Sequence, residues 1–550
     1  MALTKYIFVT GGVLSGLGKG IVTASVALIL KRAGFRVAPL KCDMYLNIDA
    51  GTMNPFEHGE IFVTKDGEEC DQDVGHYERF LEENLTEDNY LTNGKIYWEV
   101  LRKERSLAYH GKCVEAFPFL SDEILQRFKK VAKSCDFLVV ELGGTVGEYQ
   151  NIVFLETARM LSAQQPAAVC FLHLGYLPIP RHIGEMKTKP IQQSIMSLNS
   201  IGIRPDLIIC RSEKAVDNIR KKKIALAAGL PPQAIISSPD LDNVYQSPLI
   251  LEKQGLSQLI FKKLQLPLKK PNLTDWQKLI DKVKNIKRVI KIAIVAKYYA
   301  SGDFSLEDSY ISVIEAIKHA AWFNNLKVQI LWYDSERGEK EGFKGLEEAD
   351  GIIVPQGWGS RGVEGKIKAV QFSRERKIPY LGLCFGMQMA IIEFARHVCG
   401  LKDANSTEVN PKTKHPVIHI MPDQKNYLAK RQYGGTIRLG VWPCRLEKES
   451  FLWQTYKKNS QLTKKPFSGD IIYERHRHRY EFNLKYRQLL ESKGMRFSGI
   501  SPDGKLVEAI ELPKTLHPFF IGTQFHPEYQ SKPFAPHPIF VEFLKAAGKI

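Results

Sequence analysis

The run PYLGLCFGMQMA sets one thiol between two glycines, as Gly382, Cys384 and Gly386, after an apolar stretch and before residues at helical spacing. Small residues two before and two after a nucleophile let a strand turn sharply into a helix. The N-terminus of that helix then favours a thiolate. Farther on, TQFHPEYQ places His526 and Glu528 two apart in a run that reads as strand. An imidazole beside the sulfur can act as general base, and a carboxylate can hold its tautomer. VPQGWGSRG, after the apolar stretch 351–354, offers backbone N–H groups near Gly357 for an oxyanion. In one domain and in this order these groups read as a thiol nucleophile with its base, its orienting carboxylate and an oxyanion hole. Taken singly they read equally as a buried cysteine, a core histidine and a surface turn.

A second set of residues suits phosphates. In TGGVLSGLGKGI, Gly18 and Lys19 fit the pattern G-x-x-x-x-G-K-[ST], but Val13 stands where the first Gly belongs. Gly20 stands where a magnesium-binding hydroxyl belongs. The N–H groups of Gly16, Leu17, Gly18, Lys19 and Gly20 can converge on a triphosphate at a helix N-terminus, with Lys19 as a point charge. The competing reading is a ligand-free turn. Without a hydroxyl at position 20, magnesium needs carboxylates from elsewhere. Glu141 ends the apolar run FLVVELGG, and EECDQDVGHYERF supplies Asp71 and Asp73, which on spacing alone also read as a solvated acidic loop. Lys41 follows a short apolar run and can face phosphates. Lys187 and Lys189, two apart in GEMKTKPIQQS, project to one side of an extended segment, although lone lysines are usually solvated.

Such groups need rigid elements behind them. Short apolar runs at 7–10, 37–40, 137–141, 168–172, 206–210 and 234–237 alternate with helical patterns such as 21–31. That alternation predicts a parallel sheet covered on both faces. It restarts after 264–291, with runs at 292–296, 328–333, 351–354 and 380–383. The intervening segment holds two prolines and then a basic amphipathic pattern, a linker carrying a helix. A chain of 550 residues exceeds one core, so separate domains are expected. Lys plus Arg outnumber Asp plus Glu by 77 to 60, which favours polyanionic partners, nucleotides included, or a generally basic surface. No RNA-binding signature accompanies the charge. Nine cysteines show no C-x-x-C spacing, which argues against a zinc ribbon and for a reducing compartment. No signal peptide or membrane span is legible, so a soluble, cytoplasmic protein is expected.

Beyond the separate motifs, the chain resembles CTP synthases along nearly its whole length. The first half matches at YIFVTGGVLSGLGKGI, GTMNPFEHGEIFVTKDG, GHYERF, VLRKER, ELGGTVG, GEMKTKP and SIGIRPDLIICRS. The second matches that family's class I glutamine amidotransferase half at GLCFGMQMAIIEFARHV, DANSTE, GGTIRLG, ERHRHRYE and QFHPE. The resemblance implies an α/β architecture. A P-loop NTPase-like parallel-sheet domain over 1–266 is joined by a linker with a helix, 267–290, to a flavodoxin-like amidotransferase domain over 291–550. It implies the reaction of UTP, ATP and glutamine to CTP, ADP, phosphate and glutamate. Cys384, His526 and Glu528 would be catalytic. Gly16 to Ile21 (Gly16, Leu17, Gly18, Lys19, Gly20, Ile21), with Asp73, Pro239, Asp240 and Leu241, would bind ATP, and Lys19 and Lys41 would serve phosphoryl transfer. Ser15, Lys187, Thr188, Lys189, Pro190, Ile191, Gln192 and Lys223 would contact the pyrimidine nucleotide. Gly357, Phe385, Gly386, Met387, Gln388, Glu408 and Arg479 would hold glutamine, and Asp73 and Glu141 would hold magnesium. His58 and Ile61 match the region lining the family's internal ammonia passage. The family further implies GTP as an allosteric activator and a homotetramer, in some members stacked into filaments, with no nucleic-acid or membrane partner.

Departures from the family pattern carry their own expectations. Gly147-Glu148-Tyr149-Gln150 replaces G-D-I-E in a segment that contacts product base and ribose, which predicts weakened CTP feedback. A usual Pro is missing after Asp43, Glu115 and Phe119 replace a Gln and a His, and Gln356 replaces a Gly beside the presumed oxyanion hole. Two other readings compete. One is another phosphate-loop amidotransferase that activates a carboxylate. The other is a non-catalytic assembly protein, which the intact Cys384, His526, Glu528, Lys19, Asp73 and Glu141 disfavour.

Overall fold

KYIFVTGG, Lys5–Gly12, is buried at every residue but the first, so the strand must be covered on both faces. A computed structural model, describing residues 4–298, 300–301, 304–424, 427, 430, 434–462, 467 and 469–550, places it near the middle of a seven-stranded sheet. The order is Tyr90–Thr92, Val37–Asp43, Phe137–Leu142, Lys5–Gly12, Val169–Tyr176, Leu207–Ser212 and Ile235–Pro239, and every pair is parallel. All six expected runs lie in this sheet. Tyr90–Thr92, three residues long, was too short to stand out. The phosphate-binding candidates leave the carboxyl ends of the strands, where open α/β sheets bind ligands. The helix Lys19–Arg32 starts within the phosphate loop, two residues before its expected start.

A second, nine-stranded sheet runs Lys327–Asp334, Val289–Ala296, Gly351–Val354, Tyr380–Leu383, Phe520–Thr523, Val507–Glu511, Arg496–Ile500, Arg438–Leu446 and Ile471–His478. Its first five strands are parallel in the flavodoxin order, and the rest are antiparallel. Gly351–Val354 and Tyr380–Leu383 match their sequence expectation residue for residue.

The chain divides into two compact units, and they are not consecutive. One comprises Met1–Asp49 and Asp73–Asp281; the other comprises Ala50–Gln72 and Lys282–Ile550. Residues 50–72, with the antiparallel pair Ile61–Val63 and Glu69–Asp71, thus belong to the second unit, although sequence order assigns them to the first domain. The expected linker helix is Thr274–Asn285. It buries Trp276 against Phe80 and Tyr245, and the indole N–H donates to the Tyr245 carbonyl at 2.6 Å. Among the described residues no helix is long and apolar enough to cross a membrane.

Candidate active site

Cys384 takes φ +50 and ψ −98 between the strand Tyr380–Leu383 and the helix Phe385–His397. A non-glycine residue at positive φ is strained, and here the strain lifts the sulfur off the sheet. The flanking glycines are obligatory: a Cβ at Gly386 would lie 1.9 Å from the Val354 carbonyl oxygen, and one at Gly382 would lie 2.7 Å from the Tyr380 hydroxyl. The Gln524 amide donates to Sγ at 3.4 Å.

His526 and Glu528 do not sit in a strand. The strand Phe520–Thr523 has already ended, and Pro527 opens the short turn Pro527–Gln530. The turn brings His526 Nδ1 to 2.7 Å from Glu528 Oε1. Burial alone would push the imidazole down, but Glu528 and the Cys384 sulfur overcome it and raise its pKa to about 10. Nε2, on the sulfur side of the ring, makes no hydrogen bond, so it is free to take or give a proton. The Tyr529 ring stacks on His526 with centroids 5.0 Å apart, and its hydroxyl donates to the Ile61 carbonyl at 3.0 Å.

One pocket joins Gly357, Cys384, Phe385, Gln388, Glu408, Arg479 and His526. Gly386 and Met387 lie behind it, buried on the helix. Glu408 accepts from Gly359 N–H at 2.7 Å; burial raises its pKa, against that hydrogen bond and the nearby Lys297 and Arg479 cations. Arg479 donates to Thr436 Oγ1 at 2.9 Å. A carboxylate and a guanidinium in one pocket suit a zwitterion. Gln356 avoids the positive φ that a glycine there would permit, and its side-chain amide turns toward Glu60 at 3.5 Å. Deeper in this unit, His476, His478 and Glu508 bring three ligating atoms within 4.8 Å of one another. Arg438, 2.7 Å from Glu508, already supplies the cation there.

In the first unit the phosphate loop departs from the standard pattern, and the structure explains how. Val13 adopts φ +84, a glycine conformation held by a β-branched residue. At Gly20 a Cβ would lie 1.8 Å from Asp73 Oδ1, so the Asp73 carboxylate fills the space where a hydroxyl-bearing side chain would project. Lys41 and Glu141 are register partners on adjacent strands. The Lys41 ammonium lies 2.5 Å from Asp73, 3.0 Å from Glu141 and 3.6 Å from Asp43. Burial and Asp73 raise Glu141 to about 7, against the pull of Lys41 and Lys19, and the Tyr77 hydroxyl donates to its other oxygen. Beside the phosphate loop, Asp73 and Glu141 offer the carboxylate oxygens a magnesium ion takes, and Lys41 bridges them. Asp71 is elsewhere, 3.4 Å from His58. Lys19 donates to the Gly144 carbonyl at 2.5 Å; burial lowers its pKa, and Glu141 opposes that.

The remaining nucleotide candidates differ in setting. Ser15 and Gly16 are exposed, Leu17 is buried, and Ile21 begins the helix body. Pro239 ends the strand Ile235–Pro239, and Asp240 and Leu241 follow it, with Asp240 3.0 Å from Arg211. Lys187 pairs with Glu185 at 2.6 Å, and Lys189 is already the first residue of the helix Lys189–Ser200, so the two do not share one extended face. Thr188 precedes that helix without a side-chain cap, Pro190 occupies its first turn, Ile191 is buried, and Gln192 donates to Thr188 Oγ1 at 3.1 Å. Lys223 is exposed on the helix Asn218–Ala228. Sequence reasoning missed Gln524, Tyr529 and Lys366, because nothing in their local pattern separates them from core residues.

The Gly20 geometry makes a test. Gly20→Ser restores the standard phosphate-loop residue, yet its Cβ displaces the Asp73 carboxylate. If the loop holds ATP as the sequence leads one to expect, turnover that depends on ATP falls by about 10²-fold, the scale of a group misplaced by about 1 Å. Initial rates at saturating ATP check this; wild-type turnover would contradict it.

The family model described as CTP synthase N-terminus matches residues 5–266, and that for glutamine amidotransferase class-I matches residues 305–546. The CTP synthase of Caldanaerobacter subterraneus subsp. tengcongensis is 48% identical over 548 residues, which span 99% of this chain and 98% of that one. The CTP synthase of Pyrococcus furiosus is 45% identical over 547 residues, with the same coverage of 99% and 98%. Among solved structures, the glutaminase domain of a Trypanosoma brucei CTPS with bound acivicin is 37% identical, covering 47% of this chain and 94% of that one at TM-score 0.42.

Proposed function

The chain belongs to the CTP synthase family, and on that premise we propose which of its residues carry each half of the reaction. It is a ligase that aminates UTP to CTP with ATP, taking nitrogen from glutamine.

Glutamine enters the pocket with its α-amino group toward Glu408 and its α-carboxylate toward Arg479. The Cys384 sulfur attacks the side-chain amide carbon, and the resulting oxyanion accepts from Gly357 and Phe385 N–H. His526 transfers a proton from Nε2 to the leaving ammonia, while Glu528 holds Nδ1. Water then releases glutamate from the thioester. The observation that most supports this division is the Nδ1–Oε1 contact of 2.7 Å, which leaves Nε2 without a hydrogen bond in a pocket shared with the sulfur.

In the other unit ATP lies along Gly16 to Ile21 and Pro239 to Leu241, and UTP along Ser15, Lys187 to Gln192 and Lys223. Uracil O4 is a poor leaving group until it is phosphorylated. Lys19 and Lys41 stabilise the charge on the phosphoryl group in transit. A magnesium ion held by Asp73 and Glu141 would neutralise the phosphates. Ammonia then adds at C4 and phosphate leaves. The test is ADP release coupled to CTP formation. Equimolar amounts are expected, and neither without UTP; ADP release that ignores UTP would overturn the reading.

The feedback segment supports weak CTP inhibition. The Glu148 carboxylate accepts from Thr145 N–H at 3.1 Å and Thr145 Oγ1 at 2.6 Å, so it serves its own loop. Tyr149 is 86% exposed, and Gln150 brings no charge. Half-inhibition is expected only when CTP matches or exceeds UTP. Initial rates against added CTP decide it, and potent inhibition at CTP well below UTP would refute it.

We read the active species as a homotetramer in the cytoplasm, with GTP stimulating glutamine hydrolysis. Self-association is supported by apolar side chains exposed on and just after the helix Asn93–Arg105: Trp98 (61%), Leu101 (56%) and Leu107 (71%). Nine free cysteines suit a reducing compartment.

A further inference from the structure

Lys366 has no exposed surface. It lies in the first turn of the helix Val363–Arg376, and its side-chain nitrogen donates to the Pro355 carbonyl at 2.7 Å and the Gln356 carbonyl at 3.3 Å. Both carbonyls belong to the loop that leaves the strand Gly351–Val354 and supplies Gly357. Burying an amine is unfavourable unless its donors are answered, and here both answering groups are main-chain oxygens of one loop. Burial and the neighbouring Lys297 also push its pKa well down. A neutral amine still has two N–H bonds, one for each carbonyl.

The consequence lies in the peptide unit itself. In a trans peptide the C=O and N–H point in opposite directions. The Gln356 carbonyl is drawn toward Lys366, so Gly357 N–H turns to the opposite side. Gly357 lines the pocket that holds Cys384. Among the described residues, Gly357 N–H donates to no protein acceptor. The second donor, Phe385 N–H, opens its own helix and is likewise one of the groups a helix leaves unused. Lys297 fixes the far end of the loop, donating to the Gly359 carbonyl at 2.6 Å.

We propose that Lys366 is the positioning residue of the oxyanion loop: it grips the Pro355 and Gln356 carbonyls and thereby aims Gly357 N–H at the oxygen that becomes negative when Cys384 attacks glutamine. This rests on the glutaminase reading above. Lys366 touches neither substrate nor the reacting atoms in this account. Removing it should therefore lower turnover rather than glutamine binding, and should leave the reactivity of the thiolate alone.

Two variants and two assays test it. Lys366→Met keeps the stem and loses both donors; Lys366→Gln keeps an amide donor. For Lys366→Met, kcat for glutamine hydrolysis is expected to fall by about 10²-fold, the scale of losing one oxyanion donor, with KM little changed. Alkylation of Cys384 by iodoacetamide, which forms no oxyanion, should proceed at the wild-type rate. Lys366→Gln should recover part of the lost turnover. Ammonia-driven CTP synthesis in the other unit reports folding, and where Lys366→Met does not fold, Lys366→Gln is read by the same assays. Wild-type hydrolysis by the folded variants would overturn the proposal, as would an equal loss of hydrolysis and alkylation, which would put Lys366 at the thiolate instead. A wild-type chain unable to hydrolyse glutamine would sink the glutaminase reading itself.

Discussion

Cys384→Ala is expected to abolish CTP formation from glutamine and to leave formation from added ammonia close to wild type. The thiol lines the pocket beside His526 and is held at φ +50 on a turn that neither flanking glycine can yield. Alanine keeps the turn and removes the bond-forming atom. Deleting a nucleophile from a Ser or Cys catalytic set costs on the order of 10⁴–10⁶ in turnover, about 5 to 8 kcal/mol of transition-state stabilisation. The ammonia route bypasses that step. Steady-state rates with each nitrogen source separate the outcomes. Loss of both activities would mean the substitution damaged the fold or the assignment is wrong; retention of both would remove Cys384 from the mechanism.

Lys19→Met should behave oppositely, losing both routes while glutamine hydrolysis persists. The Lys19 side chain runs past Gly11, where an added Cβ would approach its Cδ to 2.7 Å, and its nitrogen reaches the Gly144 carbonyl. Methionine fills the same channel without the donor or the charge. The transferring phosphoryl group spreads negative charge over its oxygens, and removing one fixed cation from such a site costs about 10²–10³-fold or more. ADP release measured with UTP present checks it. Turnover within about threefold of wild type, well inside that range, would show that Lys41 alone suffices.

The two catalytic sets were unequally legible. The strand–turn–helix around Cys384 was visible because glycines, apolar run and helical spacing are local signals. Its partners His526 and Glu528 are visible as residue types, but not their backbone: the strand stops at Thr523 and Pro527 opens a turn where alternation suggests more strand. Around the phosphate loop the sequence offered Asp71 and Asp73 equally. Residue type alone does not separate them and the family resemblance favours Asp73; in the structure Asp73 fills the space beside Gly20 whereas Asp71 turns to His58. Val13 at φ +84 was invisible for the same reason, since β-branched residues rarely adopt that conformation and tertiary structure imposes it. Residues 50–72 were read with their chain neighbours, and no periodicity announces a partner more than 400 residues away, as Arg477 is for Glu69.

That last segment bears on how such a protein can be divided or recombined. Arg475 donates to the Val63 carbonyl, Arg477 pairs with Glu69 at 2.8 Å, and Ser312 donates to Glu60. A gene fragment beginning at the connecting helix would encode a hydrolase stripped of these acceptors, with the buried Arg477 guanidinium deprived of Glu69, a defect worth about 3–5 kcal/mol for that broken ion pair. Swapping halves between relatives at that helix would mismatch the same contacts. The heritable module is therefore interleaved, and recombination that respects it must carry the early insert together with the late portion of the reading frame.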